Sequence, residues 1–71
     1  MSKEVFLLKL GAKIRTVRKE KKMSLDKLAA LCDFEKANLS RIETGKTNTT
    51  ILTLHTISRV MEVPLCEFFK E

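Results

Sequence analysis

Apolar residues recur along almost the whole chain at steps of three and four, a spacing that turns one face of an α-helix inward. Phe6, Leu10, Ile14 and Val17 form one such stripe. Leu25, Leu28, Ala29 and Cys32 form a second, and Ile51, Leu54, Ile57, Ser58 and Met61 a third. Only 2 Gly and 1 Pro interrupt the 71 residues, so helices joined by short turns are expected rather than a many-stranded sheet. With 44% apolar residues, residues 1–71 are expected to form one small domain, near the lower size limit for a self-sufficient core.

The first helix is predicted from about Glu4 to Lys21, and residues 1–9 are candidates to extend it. Ser24 is a favourable N-cap for a second helix of about two turns, which Asp33 ends because Asp tolerates the left-handed backbone region. A third helix is predicted over about residues 35–44, with Leu39 and Ile42 inward, Phe34 packed at its start and Gly45 as its stop. Thr50 caps a fourth helix, Ile51 to Met61. Pro64, at the first helical position, opens a fifth that carries Leu65, Cys66, Phe68 and Phe69.

Charge is distributed unevenly. Residues 1–46 carry 12 Lys/Arg against 6 Asp/Glu, whereas residues 47–71 carry 2 against 3. One part of the molecule thus has an electrostatic reason to approach a polyanion. No apolar run approaches the roughly 20 residues that span a bilayer. No signal-peptide pattern opens the chain, so a cytoplasmic protein is expected. Cys32 and Cys66 each lie within an apolar pattern and are read as buried, reduced thiols, and no Cys/His cluster has zinc-ligand spacing. His55 has no acid or nucleophile placed to work with it, and no glycine-rich phosphate loop exists. Neither an enzyme nor a cofactor or metal site is expected.

The segment from Leu25 to Ile42 is the most informative. Two short helices, joined by a turn of about three residues around Asp33, have apolar residues where a steep crossing needs them, and small Ala29 where they approach. The second helix of such a pair is exposed along one side, and an α-helix fits the major groove of B-DNA.

Several linked pieces of this sequence resemble the phage-repressor-type (Cro/Xre) helix-turn-helix family. They are Leu10 to Glu20, Met23-Ser24-Leu25-Asp26-Lys27-Leu28-Ala29, Leu39-Ser40-Arg41-Ile42-Glu43-Thr44-Gly45-Lys46, and Leu54 through Leu65 with Val63-Pro64-Leu65. The resemblance implies an all-α, compact five-helix, lambda-repressor-like domain, with its helix-turn-helix unit at about 25–44. The third helix would read the major groove of a pseudo-palindromic operator.

Carried over position by position, Lys36, Ala37, Asn38 and Arg41 fall where base-contacting side chains lie. Arg41 is suited to bond guanine O6 and N7 together. Ser24, Lys27, Ser40, Lys46, Thr47 and Asn48 fall where the backbone phosphates are met. The resemblance also pairs Arg18 with Glu43 between the first and third helices. Four positions depart from the family pattern: Leu25 stands where a phosphate-binding Gln is common, and Lys22, Asp33 and Glu62 where Gly is frequent.

Large apolar residues on the last helix, and the habit of short family members to pair through this region, make Leu65 and Phe69 the candidate homodimer contacts. Expected partners are therefore double-stranded DNA and a second copy, with no membrane and no small-molecule ligand. The expected function is sequence-specific transcription regulation. The alternatives are an antitoxin-like protein-interaction module with weak DNA binding, and a nonspecific basic nucleic-acid binder with a steep salt dependence.

Overall fold

A computed structural model describes residues 1–70. Among them are four α-helices and one short 3-10 helix, with no strand: α1 Lys3–Glu20, α2 Leu25–Cys32, α3 Lys36–Glu43, α4 Ile51–Met61, and η1 Leu65–Phe69. The hydroxyls of Ser2, Ser24 and Thr50 accept from the backbone N–H three residues on, opening α1, α2 and α4. Each satisfies a donor that helix geometry orphans. Of residues 1–9, those from Lys3 onward extend α1, and Ser2 caps it.

All four α-helices close by one device. The N–H of a left-handed residue bonds back three residues, and the next N–H bonds back five. The pairs are Lys22 to Lys19 with Met23 to Arg18, Asp33 to Ala30 with Phe34 to Ala29, Gly45 to Ile42 with Lys46 to Arg41, and Glu62 to Arg59 with Val63 to Ser58. The left-handed residues have φ of 58° at Lys22, 59° at Asp33, 72° at Gly45 and 59° at Glu62. Three of the four thus hold a side chain where glycine sits most easily.

The core joins Leu10, Ile14 and Val17 of α1, Leu28, Ala29 and Cys32 of α2, Leu39 and Ile42 of α3, Leu54, Ile57 and Met61 of α4, and Phe68 of η1. Burial pushes the Cys32 thiol pKa above its ordinary value, because the thiolate is poorly solvated there. No helix among the described residues is long and apolar enough to cross a membrane.

The structure corrects several expectations. The fifth element is a 3-10 helix, whose side chains eclipse every third residue. Phe68 is therefore buried and Leu65 half-buried, while Cys66 points outward and is exposed. Pro64 precedes this element in an extended conformation, ψ 146°, rather than serving as its first residue. Ile51 is 65% exposed, since burial on α4 begins only at Leu54. Phe6 is 46% exposed. It stacks instead on Phe69, ring centroids 6.4 Å apart, where α1 meets η1. Glu35 and Thr44 flank α3 rather than lying within it.

Candidate nucleic-acid interface

Helix α3 has eight residues and two distinct arcs. At about 3.6 residues per turn, Leu39, Ile42 and Glu43 share one side, and all three are buried. Lys36, Ala37, Asn38 and Arg41 lie on the other and are exposed, with Ser40 half-buried between them.

Two features fix the buried arc against α1. The first is Gly11. A Cβ built there would meet the carbonyl oxygens of Ile42 and Glu43, the latter at 2.6 Å. Backbone therefore lies against backbone, at a separation only glycine permits. The second is Arg18. Its Nε donates to Glu43 Oε2 at 2.7 Å and its Nη2 to Glu43 Oε1 at 3.0 Å. Its Nη1 donates to the Met23 carbonyl at 2.9 Å. One guanidinium thereby ties together α1, the α1–α2 turn and the last turn of α3 in a two-pronged, charge-assisted contact. Gly45 seats the end of α3 in the same way, for a Cβ there would lie 2.8 Å from the Leu8 backbone.

The exposed arc is organised before any ligand arrives. Arg41 Nη2 donates to Asn38 Oδ1 one turn back. Lys36 Nζ lies 3.1 Å from Asp26 Oδ1, which brings the start of α2 beside the start of α3. Ser24 and Lys27 belong to that same end of α2, and both are exposed. Ser24 Oγ accepts the Lys27 N–H at 3.0 Å, and its own O–H remains a donor. At the other end of α3, a cleft of about 300 Å³ gathers Asn38 and Arg41 with Thr47 and Asn48 of the loop. Lys46 precedes them and is exposed.

Sequence reasoning passed over three participants. Gly11 carried a signal, a lone glycine inside a strong helical pattern. Asp26 carried none, since nothing in the spacing links it to Lys36. Thr53 joins Thr50 in lining the cleft, but reads in sequence as an ordinary polar position.

The helix-turn-helix family model, HTH_3, matches residues 14–68. The chain belongs to this helix-turn-helix family. The control protein C.MunI of Mycoplasma sp. is 34% identical over 65 residues, covering 90% of this chain and 88% of its own. The restriction-modification controller protein C.AhdI from Aeromonas hydrophila superposes with a TM-score of 0.89 over 92% of this chain and 98% of its own. At 23% identity, that likeness speaks for the helix-turn-helix fold alone. The wild-type restriction-modification controller protein C.Esp1396I has a TM-score of 0.80 and 33% identity, covering 89% of this chain and 83% of its own.

Proposed function

We propose that this protein is a sequence-specific DNA-binding transcriptional regulator, a controller of the restriction-modification kind, acting in the cytoplasm as a homodimer on a pseudo-palindromic operator. The observation that carries this reading is the two-sided construction of α3. One arc is locked to α1 through Gly11 and the Arg18–Glu43 contact, and the other presents Lys36, Asn38 and Arg41 to solvent. A recognition element needs both properties, because base readout requires donors held in register with the groove. Family membership and the likeness to named controllers support the same reading.

In this account Lys36, Ala37, Asn38 and Arg41 meet base edges. Arg41 bonds guanine, and Ala37 packs against a thymine methyl. Ser24, Lys27, Ser40, Lys46, Thr47 and Asn48 meet phosphates and set orientation. The whole chain acts as one domain, and two copies pair through Leu65 and Phe69.

The test compares preferred and random duplexes across a salt series. Arg41→Ala is expected to relax base preference at one position of each half-site. Lys46→Ala is expected to weaken binding to every duplex alike and to flatten the salt slope by about one unit per protomer. Equal losses on preferred and random DNA for Arg41→Ala would overturn the readout assignment.

A further inference from the structure

Asp26 is out of place on a surface that meets a polyanion. It sits in the first turn of α2, beside Ser24 and Lys27, with its side chain 72% exposed. A carboxylate there complements the helix dipole, but it also repels phosphate. Its partner resolves the conflict. The carboxylate lies 3.1 Å from the ammonium of Lys36, the first residue of α3. We infer that Asp26 is a specificity-determining residue that restrains Lys36 from unselective phosphate contact, an inference that rests on reading α3 as the recognition helix.

The geometry supports a restraint rather than a staple. Packing between α2 and α3 is already provided by buried Leu28, Ala29 and Leu39. The Lys36 side chain is 60% exposed, and an ion pair so open to solvent contributes little to stability and breaks easily. On arbitrary DNA, attraction comes from phosphates alone. A lysine already facing a carboxylate adds less to that attraction than a free one. On a preferred site the same ammonium meets base acceptors in the groove. It carries three N–H donors, so one can stay with Asp26 while another bonds a base. Asp26 thus taxes unselective binding more than selective binding, and it widens the ratio between the two.

Five full-length proteins decide the matter: wild type, Asp26→Asn, Asp26→Glu, Lys36→Met, and the Asp26→Asn/Lys36→Met double variant. Each is titrated by fluorescence anisotropy against a random-sequence duplex and the wild type's selected duplex, over a salt series. Circular dichroism confirms that each is folded. Asp26→Asn is expected to tighten binding to the random duplex about fivefold per protomer, the scale of one close charge pair in water. The salt slope on that duplex is expected to steepen by about 0.9 per protomer, the effect of one added phosphate contact. Affinity for the selected duplex changes less, so the specificity ratio falls. Asp26→Glu, which keeps the charge, is expected to restore the wild-type ratio.

In the Lys36→Met background the Asp26→Asn effect falls to the part owed to general repulsion of phosphate by the carboxylate. If it persists there at full size, Asp26 acts by general repulsion and the restraint is refuted. Equal tightening on both duplexes would refute it too, as would a change in melting temperature with no change in the ratio. A wild type with no preferred duplex would sink the recognition reading itself. The random-duplex arm, with and without Lys36, would still show separately whether Asp26 restrains that lysine.

Discussion

Replacing Glu43 by Gln removes one negative charge from a site where the Arg18 and Glu43 side chains are only 10% and 5% exposed. The amide keeps the shape of the carboxylate but offers the guanidinium one acceptor and a clashing N–H2 group in place of two acceptors. Arg18 keeps its bond to the Met23 carbonyl, yet its charge loses its counter-charge. Removing one member of a buried pair costs about 3–5 kcal/mol. The retained Met23 contact puts the expected loss at the lower end, about 3 kcal/mol. In a domain of this size each kcal/mol lowers Tm by about 4–8 °C, so Glu43→Gln is expected to melt about 12–24 °C below wild type.

Urea denaturation followed by far-UV circular dichroism measures the loss directly. The double variant Arg18→Met/Glu43→Leu removes both charges, and apolar replacement of a whole buried pair is often neutral or better. Its loss of stability is expected to be well below the sum of the two single losses, with about 1 kcal/mol forfeited at the Met23 carbonyl. Two results would refute this reasoning. One is a Glu43→Gln loss below about 1 kcal/mol, the behaviour of an exposed pair. The other is a double variant as unstable as the two single losses added together.

Three further outcomes follow from the backbone and the core. Gly11→Ala drives a methyl into the α3 carbonyls. Overpacking of about 1–3 kcal/mol, less roughly 1 kcal/mol of better helix propensity, leaves a net loss of up to about 2 kcal/mol in urea denaturation; a gain would mean that α1 and α3 separate freely. Glu62→Gly relieves a left-handed residue at φ 59°. The relief of about 1–2 kcal/mol exceeds the added unfolded-chain entropy of about 0.4–1 kcal/mol, so its thermal midpoint is expected to rise. Burial raises the Cys32 pKa in the folded state, so the stability owed to its protonated form is complete below the ordinary thiol range. It is lost as pH rises through that range towards the raised folded value. A Cys32→Ala variant is expected to lack this alkaline decline in its urea midpoint.

The helix ends were legible because they are written locally. Ser24 and Thr50 cap in sequence as they do in space, and Asp33 and Gly45 stand where the chain turns left-handed. Lys22 and Glu62 also turn left-handed, although side-chain chemistry alone gives no reason for it; only the family pattern, with glycine frequent there, marked those positions. Periodicity found the buried residues of α2 and α3 but overran the edges of the core on α1 and α4. Ile51 and Phe6 keep the register of their stripes yet lie where a helix runs past its neighbours, and a register says nothing of where the packing partner stops. Cys66 stands among apolar residues in sequence, which suggests burial, but in the 3-10 helix it falls outside the row of every third residue that joins Leu65 to Phe68 and is exposed.

The site was legible only as far as resemblance and exposure reach. Arg18 and Glu43 lie 25 residues apart, and spacing offers no reason to join them. The Asp26–Lys36 contact depends on the crossing of α2 and α3, which sequence sets only through many weak apolar choices. Gly11 shows the reverse case. Its meaning is invisible along its own helix and obvious once α3 is laid against it.

The most direct test is selection of preferred duplexes from a random DNA pool by the purified protein at physiological salt. The account predicts an inverted repeat whose half-site centres lie about one helical turn, roughly 34 Å, apart, with guanine at a fixed place in each half where Arg41 reads. Recovery of no sequence above the random background would contradict it and point to a protein partner for the exposed face of α3.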